Sequence, residues 1–217
     1  MLSHLGQHSF EDPIRLIPRS LAKLNSIWVS LTYPFASIGL NLSIHYTAIL
    51  KRAVAHRIKL GSSVIISKDA WLNVPLGGDE TGEPVIVFED NCRIGFRCQV
   101  SGKNSIHLER DVILSPSVLV MDHSHAYEDI SVPICEQGVN KGGRIRIEQG
   151  SWIGFGAVII CSKGELTLGR NCVVGANSVV TRSFPPYSVI AGNPARMVKQ
   201  FDPVRKIWVA RGVEARS

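Results

Sequence analysis

The sequence predicts an all-β solenoid, a triangular prism built from stacked coils of short strands. Aliphatic residues recur at every sixth position in runs of three, and six such runs can be placed along the chain. An α-helix repeats its apolar face about every 3.6 residues and a simple strand every two, so a period of six indicates a short strand followed by a turn. Three such units complete one coil, and each sixth side chain points inward.

The predicted inward residues form one column on each of the three sides and are aliphatic with the exception of Phe88. Neighbouring coils stack these side chains at the strand spacing of about 4.8 Å, which favours branched aliphatic residues. The six runs are Ile38, Ile44, Leu50; Leu60, Ile66, Leu72; Phe88, Ile94, Val100; Leu108, Leu114, Val120; Ile147, Ile153, Ile159; and Leu168, Val174, Val180.

Glycine and cysteine hold fixed positions in the same repeat. Cys92, Cys98 and Cys172 each lie two residues before an inward residue, and we interpret them as buried packing thiols. The five cysteines include no CxxC pair, so neither a disulfide framework nor a zinc site is expected. Glycine follows the inward residue where a close approach or a positive φ would be costly for other residues, at Gly39, Gly61, Gly95, Gly154, Gly169 and Gly175.

The charge of the chain restricts its partners without identifying one. A formal net charge of +6 matches a polyanionic ligand such as coenzyme A, nucleic acid or an anionic lipid headgroup. No basic run interleaved with aromatic residues is present, which disfavours nucleic acid. The most apolar region, residues 27–50, is interrupted by Pro34, Asn41 and His45 and is too broken for a spanning helix. With no signal-peptide pattern, the expected location is the cytoplasm.

The two ends of the chain are expected to close the prism. We divide the chain into a capping segment (1–37), a β-helix domain (38–201) and a C-terminal tail or short helix (202–217), with a basic helix over 203–214 and Pro185-Pro186 ending the last coil. Ser20 is the expected N-cap of an amphipathic helix over 20–33 that covers the first coil. The alternative is peripheral docking of this helix on a membrane surface, flanked by Arg15, Arg19 and Lys23. The apolar residues of the helix are Leu21, Leu24, Ile27, Trp28 and Leu31.

Two inserts interrupt the repeat, and inserts in a rigid solenoid are where function is usually found. The first, residues 75–84, is rich in glycine and proline and is a candidate for contacting an acceptor. The second is an extended loop at about 121–146 that begins with Asp122, His123 and His125. Histidine is the side chain best matched to proton transfer near neutral pH, so this loop is the candidate catalytic segment.

At this point the sequence resembles the hexapeptide-repeat acyltransferases, in the branch of the sugar and polysaccharide O-acetyltransferases. The resemblance rests on the hexad pattern, on the Asp-His-Ser-His run at 122–125, on Gly-Ser-Trp-Ile-Gly at 150–154 and on the ending Val-Ile-Ala-Gly-Asn-Pro-Ala-Arg at 189–196. It implies a left-handed parallel β-helix that assembles as a homotrimer, with active sites between neighbouring subunits.

The resemblance also implies a reaction. An acetyl group passes from acetyl-CoA to a hydroxyl of a sugar or polysaccharide precursor, by direct attack and with a histidine general base. His123 matches the position of that base, three residues after Val120, and His125 is the second candidate. Asp122 is the first candidate to orient the imidazole, with Glu128 and Asp129 also within reach.

For the donor, the resemblance implies a groove beside the late coils of the prism. Turn residues there contact the pantetheine arm, and cations or hydroxyls near its end bind the phosphates. The matching positions in this sequence are Trp152, Gly154, Phe155, Gly156, Ala176, Thr181, Arg182, Arg196 and Lys199.

Three other interpretations stay open at this stage. The first is acetylation of a small molecule of the antibiotic type, or of an amino sugar, on the same fold. The second is a metal-dependent hydratase, which would need His107, His123 and His125 to converge; we expect no metal. The third is a non-enzymatic β-helix scaffold, which would bind no coenzyme A.

Overall fold

The structure is a computed structural model that describes residues 16–75 and 82–210. It confirms the prediction of a left-handed parallel β-helix. Within the described residues, the strands form three sheets that are the sides of a prism, and all pairings are parallel except those of a C-terminal hairpin. Sheet A contains β1 (Ser37–Ile38), β4 (Ile58–Leu60), β7 (Ile86–Phe88), β10 (Ser105–Leu108), β13 (Gly142–Ile147) and β16 (Lys163–Leu168).

The other two sheets complete each coil. Sheet C contains β3 (Ile49–Leu50), β6 (Trp71–Asn73), β9 (Gln99–Ser101), β12 (Leu119–Met121), β15 (Val158–Ile160) and β18 (Val179–Val180). Sheet B contains β2 (Ser43–Ile44), β5 (Ile65–Ile66), β8 (Arg93–Ile94), β11 (Ile113–Leu114), β14 (Trp152–Ile153), β17 (Val173–Val174), β19 (Ser188–Gly192), β20 (Ala195–Asp202) and β21 (Ile207–Ala210).

The inward columns have the predicted register. On sheet A, Leu108 pairs with Phe88 on one side and with Ile147 on the other, and the corresponding residues of sheets B and C stack in the same way. All of the predicted inward residues are at most 3% exposed except Ile38 and Leu50, which lie half-buried in the first coil. The core of the molecule is therefore a continuous aliphatic column, interrupted by one phenylalanine.

The glycines of the repeat are required by a close approach between coils. A Cβ on Gly95 would lie 2.7 Å from the backbone of Leu114, Ser115 and Pro116 in the next coil. Positive φ values fall two residues later, at Arg97 (φ 56) for this turn and at the equivalent residue of the other turns. Of the two reasons given from the sequence, crowding is correct and positive φ is wrong for these positions.

The cysteines of the repeat are packing residues, as predicted. Cys92, Cys98 and Cys172 are fully buried, and all five cysteines are free thiols. Burial raises the pKa of Cys92 to about 12 and that of Cys98 to about 11, so neither is a thiolate at neutral pH.

Helix α1 (Leu16–Thr32) covers the first coil, but not with the predicted side. Side chains of this helix hydrogen-bond the backbone groups at the free edge of β2. The Ile44 amide donates to Ser26 Oγ at 2.7 Å, and Asn25 Nδ2 donates to the Ile44 carbonyl at 3.1 Å. The side facing the coil carries Ala22, Ser26 and Val29, which are at most 9% exposed. Ser20 lies inside the helix, so its prediction as N-cap is wrong.

The C-terminal segment forms an antiparallel hairpin instead of a helix. Strand β20 pairs with β19 and then with β21, whose Ile-Trp-Val sequence favours a strand. The predicted helix over 203–214 is therefore wrong for the described residues, and residues 211–217 lie outside them. Pro185-Pro186 does not end the coil either, because Phe184 and Ile190 still stack on Leu168 and Val174.

The two inserts leave the prism at different levels. The extended loop spans residues 122–141 between β12 and β13, and a short 3₁₀ turn occupies Ile134–Glu136. Much of the earlier insert, residues 76–81, lies outside the described residues, so its expected contact with an acceptor stays a prediction. In the described part of the chain, no helix has the length and apolarity needed to cross a bilayer.

Candidate active site

Asp122 and His123 lie where the chain leaves the prism, directly after β12. Asp122 is fully buried, and its carboxylate accepts hydrogen bonds from three successive backbone amides of the preceding coil. Lys103 N donates to Oδ1 at 2.7 Å, and Asn104 N and Ser105 N donate to Oδ2 at 2.8 Å each. Converging amides of this kind form an anion-binding concavity, which fixes the orientation of the carboxylate.

The carboxylate in turn fixes the imidazole of His123. His123 Nδ1 lies 3.0 Å from Asp122 Oδ1, and the residue is only 5% exposed. An ionised carboxylate only accepts hydrogen bonds, so Nδ1 must carry the proton and Nε2 the lone pair. Among the described residues, every buried side-chain nitrogen or oxygen has a hydrogen-bond partner. Nε2 of His123 has no such partner, so it is not a buried atom and must reach the surface. The pair therefore presents a basic nitrogen outward from a buried support.

The loop that follows is fastened at its base by side-chain amides that sequence reasoning missed. Asn104 Nδ2 donates to the carbonyls of Lys141 and Gly143 at 2.8 and 3.2 Å. Asn140 Oδ1 accepts from the amides of Ser124 and Gly142 at 3.1 Å each. Asn140 lies near the end of the break in the hexad pattern, whereas Asn104 lies in the preceding coil, where no signal in the sequence indicated its role.

The other candidates of the loop bond to the loop itself. His125 is exposed, and its Nδ1 donates to the Gly138 carbonyl at 3.2 Å, where the two arms of the loop meet. Asp129 accepts from the Ser131 hydroxyl at 2.6 Å, and this contact holds the pKa of Asp129 below its usual value. Glu128 accepts from the Tyr127 amide. Asp122 is thus the carboxylate in contact with His123, and His125 as a catalytic residue stays a prediction.

A polar depression lies on the outer face of sheet A. It starts at Ser105, whose amide binds Asp122, and continues across β13 and β16. His107 Nε2 bonds Glu89 at 2.8 Å and Arg146 pairs with Glu109, whereas Arg144 has no ion-pair partner among the described residues. The polar lining residues are Ser105, His107, Arg144, Arg146, Glu165 and Thr167, and Ile145 and Leu166 complete the lining. Such a surface of closely spaced donors and acceptors is able to bind hydroxyl groups.

The residues predicted to contact the donor lie on separate edges of the prism. Trp152 is half-exposed on sheet B, where its indole Nε1 donates to Ser115 Oγ at 2.8 Å. Phe155 and Ala176 are exposed and occupy the same position in successive turns between sheets B and C. Gly154 and Gly156 are also explained by the coil itself, since a Cβ on either would lie within 2.6 Å of the next coil.

The remaining candidates lie on the edge that carries His123 or at the C-terminal end. Thr181 and Arg182 follow β18 as His123 follows β12, so they lie two coils further along the axis, roughly 10 Å away. The Arg182 guanidinium stacks 5.2 Å from the centre of the Phe184 ring. Arg196 and Lys199 lie on β20, beyond the last coil of sheet B. A single chain therefore does not gather all of these residues around one cofactor.

The three histidines considered for a metal site are separated in the structure. His107 faces Glu89 on sheet A, His123 faces Asp122, and His125 contacts the loop backbone. Within residues 16–75 and 82–210, no group of three or more potential metal ligands comes together.

Comparison with known proteins finds a family model and several relatives that match parts of this sequence. A family model described as the hexapeptide repeat of succinyl-transferase matches residues 84–116 and 144–182. A protein of Escherichia coli K12 named as a lipopolysaccharide biosynthesis O-acetyl transferase, WbbJ, is 29% identical over 157 residues, which cover 70% of this chain and 79% of that protein. A Mycobacterium tuberculosis protein named as an acetyltransferase is 32% identical over 135 residues and is covered over 42% of its length.

Solved structures support the fold. A variant of AntD, an N-acyltransferase from Bacillus cereus in complex with dTDP and coenzyme A, superposes with a TM-score of 0.64 at 20% identity, covering 83% of this chain and 90% of that one. A hexapeptide-repeat acetyltransferase from Vibrio cholerae, complexed with acetyl coenzyme A, superposes with a TM-score of 0.52 at 20% identity, covering 92% and 93%. At these identities the likeness concerns the fold.

Proposed function

Because the chain belongs to the hexapeptide-repeat acyltransferase family, we propose that it transfers an acetyl group from acetyl-CoA to a hydroxyl group of a sugar or polysaccharide precursor. The relative WbbJ is named as an O-acetyl transferase of lipopolysaccharide biosynthesis, which supports an oxygen acceptor on a glycan. The observation that carries the proposal is the buried Asp122–His123 pair, whose carboxylate is bound by the amide of Ser105, the residue at which a polar depression begins.

His123 is proposed as the general base. A sugar hydroxyl is a weak nucleophile at neutral pH because its proton must leave as its oxygen attacks. Nε2 takes this proton while the oxygen bonds to the thioester carbonyl carbon, and the carbon–sulfur bond then breaks to release the coenzyme A thiolate. Asp122 stabilises the imidazolium that forms, and the same proton returns to the leaving sulfur. No covalent intermediate with the enzyme is needed.

The acceptor is proposed to bind in the depression on sheet A. Its side chains offer both donors and acceptors, which matches the alternating hydroxyls of a sugar ring. The depression begins at Ser105, one hydrogen bond from the carboxylate that supports the base. The amides of residues 103–105 are all occupied by Asp122, so the hydrogen bond to the developing oxyanion must come from another part of the site.

Acetyl-CoA as the donor is compatible with the surface near His123. Two outward residues of the late coils on sheet C, Val158 and Val179, are half-buried and apolar, which matches the pantetheine arm. Thr181 and Arg182, on the edge of His123, supply a hydroxyl and a cation for the phosphates. Trp152, Phe155 and Ala176 lie across sheet C from this edge, so we propose that they contact the donor bound to a neighbouring subunit.

A homotrimer is proposed from the outer faces of the prism. Sheet B displays Ile65, Ile113 and Trp152, which are 38–50% exposed, and sheet C displays Ile49 and other apolar residues, whereas sheet A is polar. Two apolar faces that meet at one edge allow each chain to pack against two neighbours around a threefold axis. This arrangement brings His123 of one subunit toward Trp152 of the next. The cytoplasm, where acyl-CoA is available, is the proposed location.

The direct test of this function is transfer in solution. The purified chain is incubated with acetyl-CoA and a panel of saccharide and lipid-linked saccharide acceptors, and release of the coenzyme A thiol is followed together with the mass of the acceptor. We expect release that depends on the acceptor and yields a product carrying one acetyl ester. An acetylated amine in place of an ester would support the amino-sugar alternative. No binding of coenzyme A at all would contradict the proposal.

A further inference from the structure

Helix α1 exposes a row of large apolar side chains on the side that faces away from the prism. Ile17, Leu21, Leu24, Trp28 and Leu31 follow one another at intervals of three or four residues and therefore form one row along the helix. They are 71%, 44%, 64%, 65% and 81% exposed. The packed side of the helix, with Ala22 and Val29, is a different side, so this row is not needed to cover the first coil.

A continuous apolar row of this kind usually marks an interaction surface. Single exposed apolar residues are ordinary on folded proteins, but five in one row on one helix are not. In the first coil, which α1 covers, Leu40 and Tyr46 are also 75% and 48% exposed. The apolar surface is therefore concentrated at the N-terminal end of the prism, far along the axis from the late coils proposed for the donor.

The charged residues between the start of α1 and Lys68 are all basic. Residues 16–68 contain no aspartate or glutamate, and Asp69 is the first acidic residue after the start of α1. Between α1 and sheet B, a groove is lined by Arg19, His45 and Lys68 beside apolar Ala22 and Ile65. The cations of this stretch are Arg19, Lys23, Lys51, Arg52, Arg57, Lys59 and Lys68.

We propose that the N-terminal end of the molecule docks on the surface of an anionic lipid bilayer, with the apolar row of α1 at the depth of the headgroups and acyl-chain ends. The basic side chains around the row meet the lipid phosphates, and the apolar row enters the interface. An amphipathic helix with cations and no carboxylates has the composition of a helix that lies in the membrane plane. The acceptor would then be a substrate that is itself held at the membrane.

A second copy of the chain is the other possible occupant of this surface, and charge disfavours it. Two copies that meet through α1 would bring the cations of residues 16–68 together with no acidic residue in that stretch to offset them. An anionic bilayer instead offers opposite charge over the whole surface. Sheets B and C already provide apolar faces for the trimer, without the use of the helix.

The test is flotation of the full chain with vesicles. Vesicles of phosphatidylcholine with phosphatidylglycerol are compared with vesicles of phosphatidylcholine alone, and the lipid-bound fraction is measured at low and high salt. We expect the wild-type chain to float with the anionic vesicles, with binding reduced at high salt and absent from the neutral vesicles. The double variant Leu24→Ser and Trp28→Ser should lose at least about tenfold in affinity, in line with apolar burial at the interface.

The matched control removes apolar surface elsewhere. Ile130 and Val204 are 100% and 88% exposed and lie in the extended loop and in the C-terminal turn. The double variant Ile130→Ser and Val204→Ser should bind anionic vesicles as the wild type does. The single variant Leu31→Ser, at the last turn of α1, should show an intermediate loss and guards against misfolding of the double variant.

Several results would overturn this proposal. A wild-type chain that binds no anionic vesicle, or α1 variants that bind as tightly as the wild type, would remove the bilayer as the partner. If the α1 variants change the mass of the assembly in light scattering and the wild type ignores vesicles, the row belongs to a subunit contact. Since the assay measures binding only, its outcome is independent of whether the chain acetylates sugars.

Discussion

At the scale of single residues, the candidate site depends on one buried carboxylate. Asp122 receives three amide hydrogen bonds from the turn of residues 103–105 and holds the Nδ1–H of His123. The sequence indicated His123 because the hexad pattern stops there, and the carboxylate next to it was the first candidate. The amides could not be predicted, because they come from a coil about twenty residues earlier and their direction depends on the backbone of one turn.

The exchange Asp122→Asn tests how the imidazole is oriented. Two amides point at the position of Oδ2, so the asparagine carbonyl oxygen must take that place and its NH₂ group must face His123 Nδ1. This favours the tautomer with the proton on Nε2, which cannot act as a base. We expect kcat to fall at least about 100-fold, as is typical for loss of a positioned base. Initial rates of thiol release measure this.

A control separates this effect from damage to the fold. The variant loses the hydrogen bond that the Lys103 amide donates to Oδ1 and should melt below the wild type, but it should keep the assembly mass and still bind coenzyme A, because the donor surface lies on other coils. A variant with normal kcat would show that Asp122 does not orient the base.

At the scale of elements, each turn of the prism is limited by the coil that follows it. Gly95 is crowded by the backbone of residues 114–116, whereas Gly175, at the same position of the last full coil, has its nearest neighbour, Ala191 Cβ, at 3.2 Å. The same hexad position therefore differs in how well it accommodates a Cβ, depending on which residues of the next coil stack on it.

This contrast gives a matched pair of variants. Gly95→Ala should destabilise the chain by about 2–3 kcal/mol or more, since its Cβ forces two coils apart. Gly175→Ala should cost less than about 1 kcal/mol because Ala191 can give way by a few tenths of an ångström. Denaturant unfolding of the two variants measures the difference. Equal losses would mean that inter-coil crowding is not the reason for glycine at this position.

The elements at the two ends show where the sequence is insufficient. The hexad pattern located the inward residues of the coils, because a stacked column allows one register only. The prediction of a helix at this position is confirmed, but the predicted buried side is wrong. Small Ala22 and polar Ser26 face the coil, because Ser26 completes the hydrogen bonds of β2. The hairpin of β20 and β21 was missed because it lies beyond the hexad repeat, although β19, β20 and β21 follow one another directly in the sequence.

At the scale of the whole molecule, the three faces of the prism differ in chemistry. Sheet A is polar and carries the proposed acceptor depression, while sheets B and C carry apolar side chains on their outer surfaces. The residues proposed for the donor lie on separate edges of one chain, which is why the proposed site includes a neighbouring subunit.

Light scattering tests the proposed trimer. The wild type should have three times the mass of the 23.8 kDa chain. Ile113→Lys places a second cation beside Arg93, its neighbour on sheet B, and should lower the mass, because an unpaired charge in an interface costs several kcal/mol. Thr167→Glu, on polar sheet A, is the control and should leave the mass unchanged. A wild-type protein with the mass of one chain would contradict the shared site.

The most direct test of the account is the turnover of His123→Ala beside that of His125→Ala, with acetyl-CoA and an acceptor on which the wild type is active. Nε2 of His123 is the proposed proton acceptor, so we predict that His123→Ala loses about 10²–10⁴-fold in kcat while its assembly mass and coenzyme A binding are unchanged. His125→Ala, which loses only a contact within the loop, should stay within about tenfold of the wild type. Full turnover by His123→Ala would rule out His123 as the general base.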